Sequence, residues 1–137
     1  MTLPEFQGEQ FEKGLKVRKE VLGESYVNAS LASADELTAQ LQKLVTEWCW
    51  GEVWSRPGLE RKTRSFLNLA MLTALNRPHE VKIHVRGALN NGVTEQEIVE
   101  VILQAAIYCG VPAAMDSMRI ASEVIRQMRT EKAAEAG

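Results

Sequence analysis

Apolar residues recur along most of this chain at helical intervals, and no stretch shows a convincing strand alternation. The first segment, about Glu9 to Leu22, is charged with a thin apolar stripe of Phe11, Leu15 and Leu22, and Gly23 is placed to end it. An irregular stretch around Tyr26 to Ala32 follows. Ser33 stands three residues before Glu36, the capping-box spacing, and predicts a helix start. Behind it Leu37, Leu41, Leu44, Val45 and Trp48 predict one buried face. Arg56-Pro57-Gly58 breaks that helix, because proline restricts the residue before it and glycine frees the chain.

The next helix spans about Glu60 to Leu75. Its later half, FLNLAMLTAL, is apolar nearly all round and should lie at the centre of the domain or of an assembly. Pro78 opens a further helix ending at Asn90-Asn91-Gly92, and Thr94 with Glu97 gives a second capping box for an apolar helix, Ile98 to Cys109. Gly110 ends it. Pro112 opens the last helix, with Met118, Ala121, Ile125 and Met128 as its buried stripe, before a tail, EKAAEAG, expected to fray. The pattern predicts an all-α domain of about six helices. Two of these helices are too apolar for so small a domain to cover alone, which points to a homo-oligomer.

Length changes this picture little: 137 residues predict one domain, 1–137, with flexible ends at about 1–8 and 130–137. The net charge of -2 argues against a general nucleic-acid binder. No apolar run is long enough to span a bilayer, and the N-terminal residues lack a signal-peptide pattern, so the expected location is the cytoplasm. Cys49 and Cys109 form no CxxC, and with two histidines they make a poor zinc site, so no metal is expected and the thiols read as small hydrophobes.

Candidate chemistry gathers around Trp48 to Phe66, which holds all three tryptophans and the basic residues Arg56, Arg61, Lys62 and Arg64. Glu52 stands between Trp50 and Trp54; indole walls there would desolvate its carboxyl and prepare it to give or take a proton, whereas without them it is an exposed helix-end acid. Arg56 and Arg64 either grip an anionic ligand with their planar forks or pair structurally with Glu52 and Glu60. Asn68, one turn after Arg64, could extend a polar patch inward. His84 shares a face with Val81, Val85 and Ala88, either as a satisfied core histidine or as a functional one that Glu80 could orient.

Taken together, GEVWSRPGL, the TRS that follows, HVR, NNGVT and YCGVPAA resemble the carboxymuconolactone decarboxylase family, and the likeness runs from roughly Gly14 to Val124. The broader alkyl hydroperoxidase D-like superfamily includes peroxidases with a CxxC ahead of a histidine. Laying that histidine on His84 puts Arg77 and Glu80 where the cysteines would be, so the peroxidase thiols are absent. The resemblance implies an alkyl hydroperoxidase D-like helical fold in a symmetric homo-oligomer, commonly a hexamer. It also implies cofactor-free decarboxylation of gamma-carboxymuconolactone, a lactone dicarboxylate, to beta-ketoadipate enol-lactone in protocatechuate breakdown. On that reading Arg56 and Arg64 hold substrate carboxylates, Trp54 is a wall, His84 is proton donor or oxyanion partner, and Glu52 is the alternative acid. The competing readings are a peroxidase of the same fold and a non-catalytic helical oligomer.

Overall fold

A computed structural model describes residues 3–137, and among them every regular element is helical. The protein is all-α. Seven α-helices and one π-helical stretch occur among the described residues, where the sequence pattern predicts about six helices. The chain divides into two compact units, one of residues up to Glu60 and one of Arg61–Gly137.

In the first unit, α1 (Glu9–Leu22) ends as expected at Gly23, whose φ of 96° is a conformation that favours glycine. The same residue leads directly into α2 (Glu24–Ala32), where the sequence suggests an irregular stretch. Only Val27 of this helix is fully buried, so α2 carries almost no apolar periodicity to read. Ser33 closes α2 instead of opening the next helix: its backbone N–H donates to the Ala29 carbonyl. The cap lies two residues further on. Asp35 Oδ1 accepts from the N–H groups of Leu37 and Thr38, and Thr38 Oγ1 accepts from the Asp35 N–H. These bonds hold the Asp35 carboxyl below its usual range.

From there α3 (Thr38–Leu44) runs into a π-helical stretch, Val45–Val53, whose close is marked by the five-residue bond from the Trp54 N–H to the Cys49 carbonyl. The predicted buried face is not the one observed. Leu37, Leu41, Leu44 and Trp48 are all exposed, and the buried positions are Ala39, Thr46, Trp50, Gly51 and Trp54. Trp48 lies inside the widened stretch, where α-helical spacing no longer holds, whereas Leu37, Leu41 and Leu44 precede it, beside or within α3, and are exposed there. The backbones of α1 and the π-helix approach closely. A Cβ on Gly14 would lie 1.8 Å from the Thr46 carbonyl oxygen, so only glycine fits there. Phe6 stacks on Phe11 with ring centroids 5.3 Å apart, which draws part of the N-terminal segment, expected to be flexible, into the core; Met1 and Thr2 lie outside the described residues.

The second unit holds α4 (Arg61–Ala74), α5 (Pro78–Asn90), α6 (Glu95–Cys109) and α7 (Val111–Ala136). Its core is aliphatic: Leu69, Val85, Ile98, Ile102, Ala121 and Val124 are among its members. Each fully buried valine, leucine or isoleucine side chain contributes about 1.5–3 kcal/mol. Two polar pairs stitch the helices: the buried Thr73 and Ser117 hydroxyls lie 2.9 Å apart between α4 and α7, and half-buried Asn91 Nδ2 donates to Ser65 Oγ at 2.9 Å. The Thr94–Glu97 capping box forms reciprocally, as predicted.

Helix α4 buries only Ser65, Leu69 and Thr73, while Leu67, Met71 and Leu75 are exposed, so within this chain it is not enclosed all round. Helix α6 likewise exposes Leu103, Ile107 and Tyr108. The tail expected to fray is helical as far as Ala136. Ion pairs anchor its start: Arg86 binds Glu131 bidentately at 3.0 and 2.9 Å, and Arg129 pairs with Glu95.

Candidate active site

The expected residues fall into two groups, one in each unit. Glu52, Trp54 and Arg56 belong to the end of the π-helix and the joint after it. Trp54 stacks on Trp50 with ring centroids 4.9 Å apart, and both indoles are buried. Glu52 does not share that burial. Its side chain is 45% exposed and its Oε1 lies 3.2 Å from Arg56 Nη1, one turn on, so the indoles do not desolvate it and the ion pair weighed at the outset forms. Such an exposed pair contributes little to stability.

In the second unit, α4 presents Arg64 and Asn68 one turn apart, both half-buried. Asn68 Nδ2 lies 3.4 Å from His84 Nδ1 on α5, so the inward polar patch expected of Asn68 ends on the histidine. His84 is half-buried beside the fully buried Val81, Val85 and Ala88. Burial pushes its imidazole down to about 4, against the opposing pull of the Glu80 carboxylate. It is therefore neutral at pH 7. When Asn68 donates to Nδ1, the ring proton resides on Nε2, and His84 offers a donor there.

Arg77 is exposed and Glu80 half-buried at the positions where peroxidase thiols would stand, and both cysteines are free. Burial pushes the Cys49 thiol up, with Arg18 opposing, so this sulfur is poorly disposed to react. No group of three metal-ligating side chains occurs among the described residues.

The profile described as the carboxymuconolactone decarboxylase family matches residues 39–123. This chain belongs to that family. Among its relatives, the nitrosuccinic acid decarboxylase npaB of Metarhizium robertsii is 46% identical over 127 residues, covering 93% of this chain and 89% of the relative. The 4-carboxymuconolactone decarboxylase of Acinetobacter baylyi is 44% identical over 120 residues, covering 88% and 90%. An uncharacterized 15.0 kDa protein of Paracoccus denitrificans is 32% identical over 97 residues, covering 69% and 72%. The family match includes every candidate named above but not α1, and it begins within the first unit.

Among the charged residues described, Arg18 alone is fully buried, a position its charge disguises. Arg18 sits on the stripe Phe11, Gly14, Arg18, Val21, all four buried on α1. The three- and four-residue spacing of that stripe was the available signal; reading charge as exposure hides it.

Proposed function

We propose that this protein is a cofactor-free carboxy-lyase of the cytoplasm that converts gamma-carboxymuconolactone to beta-ketoadipate enol-lactone. What supports the reading most directly is a neutral histidine held by Asn68 in a half-buried setting, in a chain matched nearly end to end by two relatives named as decarboxylases.

The substrate carries a carboxylate on a ring carbon allylic to a C=C conjugated with the lactone carbonyl. When that C–C bond breaks, carbon dioxide leaves and the electron pair passes through the double bond to the carbonyl oxygen. The lactone thus serves as its own electron sink, the task a cofactor performs for unactivated acids. The developing dienolate needs a fixed donor. Nε2–H of His84 supplies it, and a preorganised donor of this kind is worth about 3 kcal/mol. A neutral imidazole suits that role better than delivery of a proton to carbon, which favours the oxyanion reading of His84.

Arg64 and Arg56 take the two substrate carboxylates, and Trp54 limits access of water. Arg56 reaches a substrate carboxylate by giving up Glu52. The Glu52 carboxyl relays a proton from solvent to the dienolate carbon, which completes the product.

A second substrate has a specific claim, because the nitrosuccinic acid decarboxylase is 46% identical. Nitrosuccinic acid also pairs two carboxyl groups with an electron sink, its nitro group. Parallel assays with both acids, following carbon dioxide without added cofactor, test the reading. Turnover of the lactone is expected. Turnover of nitrosuccinate alone would shift the substrate, and turnover of neither would overturn the activity.

The exposed apolar residues of α4 and α6, with a groove of about 280 Å³ lined by Phe66, Leu67, Val101 and Tyr108, support self-association, and we assign the family's hexamer to this chain. Light scattering on the eluting protein would contradict this if it gave the mass of a monomer.

A further inference from the structure

Arg18 is the one charged residue among the fully buried polar residues described, at 5% exposure. Charged side chains are buried to this degree almost only when paired, yet its hydrogen bonds run to neutral oxygens. Nη1 donates to Gln42 Oε1 at 2.9 Å and to Thr46 Oγ1 at 3.1 Å, and Nη2 donates to Ser30 Oγ at 3.5 Å. Its Nε–H finds no acceptor. For stability alone this is a poor arrangement, since an apolar side chain of similar length would avoid the desolvation.

The partners indicate another use. Ser30 belongs to α2, Gln42 to α3, and Thr46 to the start of the π-helix, so one α1 side chain ties three elements at the α-to-π junction. The junction needs such ties, because backbone groups lose regular partners where the ladder spacing changes. Thr46 Oγ1 donates to the Gln42 carbonyl at 2.7 Å, which turns its lone pairs toward Arg18. Further along, Gln10 Nε2 donates to the Glu47 carbonyl at 3.0 Å. The glycine contact of Gly14 with Thr46 lies one α1 turn before Arg18. Glu52 and Trp54 hang from this widened helix, and reversion to α winding would turn each of them to another face.

We infer that Arg18 is a positioning residue for the reaction: it fixes the π-helical stretch and thereby the placement of Glu52, Trp54 and Arg56. The inference rests on the decarboxylase reading for its kinetic part but not for its structural part. The Trp50–Trp54 stack gives a built-in reporter, because indoles in contact produce a paired positive and negative band in circular dichroism.

The test uses the full-length Arg18→Met and Thr46→Val variants, the second of which keeps the buried guanidinium and removes one anchor. Arg18→Met is expected to lose most of the indole band and at least ten-fold in kcat, with a urea midpoint near that of the parent. Thr46→Val should show the same two losses, each smaller. Arg18→Lys, a single-point cation, should recover only part of the band. A band and kcat both retained in Arg18→Met, or either one falling without the other, would overturn the inference; if that variant does not fold, the same criteria apply to Thr46→Val. Because the band is read without substrate, an inactive parent would defeat the decarboxylase reading while the band still decides whether Arg18 shapes the helix.

Discussion

The two units differ in what holds them together. Arg61–Gly137 is regular: four α-helices close over aliphatic side chains, with a reciprocal capping box and two small hydroxyl-centred pairs. The unit before it is irregular: two backbones in glycine contact, a buried guanidinium among neutral acceptors, stacked indoles and a π-helix. The regular unit draws its stability from apolar area, which tolerates small shifts. The irregular one depends on particular atoms meeting particular atoms. Strain and unusual winding of this kind concentrate where a protein needs side chains aimed, and the proposed proton donor sits there.

Four measurable effects test this contrast. The largest effect is expected in the aliphatic core, where Leu69→Ala empties a site only 1% exposed and should cost about 3–4 kcal/mol in urea unfolding. Gly14→Ala should come close to it. Its new methyl meets a backbone oxygen at 1.8 Å, and such overpacking costs about 3 kcal/mol, while Gly58→Ala, with nothing within 4 Å, should be nearly silent. Equal effects at the two glycines would remove the case for atom-specific packing in the first unit.

The third effect depends on pH. His84 titrates near 6.5 in the unfolded chain but at about 4 in the folded one, so stability is fully present above 6.5 and declines as pH falls toward 4. Unfolding followed from neutral pH to about 4.5 should lose roughly 2 kcal/mol more in the parent than in His84→Gln. An identical pH slope in both would show that the ring is not held neutral. Smallest is Thr94→Ala, which removes half of the capping box and should cost about 1 kcal/mol, readable as a lower melting temperature.

Much of the second unit could be read directly from the chain. Pro78, Asn90-Asn91-Gly92, Thr94 with Glu97, and Gly110 are local signals that act where they stand, and each marks a boundary in the structure. The first unit resisted because its decisive interactions are not local. Thr46 meets Gly14 and Arg18 across about thirty residues, the π-winding breaks α-helical spacing at Trp48, and Leu37, Leu41 and Leu44 are exposed ahead of it. The site divides similarly. The residue types were legible, and so was the inward course from Arg64 through Asn68. The exposure of Glu52 was not, since neighbours in sequence on a widened helix need not be neighbours on its surface.

The Asn91–Ser65 bond has a consequence for how this protein ages. Asparagine followed by glycine is the dipeptide most prone to spontaneous deamidation, because the glycine nitrogen can swing onto the asparagine carbonyl carbon and close a succinimide ring. Here the amide is held by Ser65, and the Gly92 N–H is engaged by the Leu89 carbonyl. Folding therefore shelters the chain's most perishable peptide unit, and the damage should accumulate chiefly in molecules that have opened.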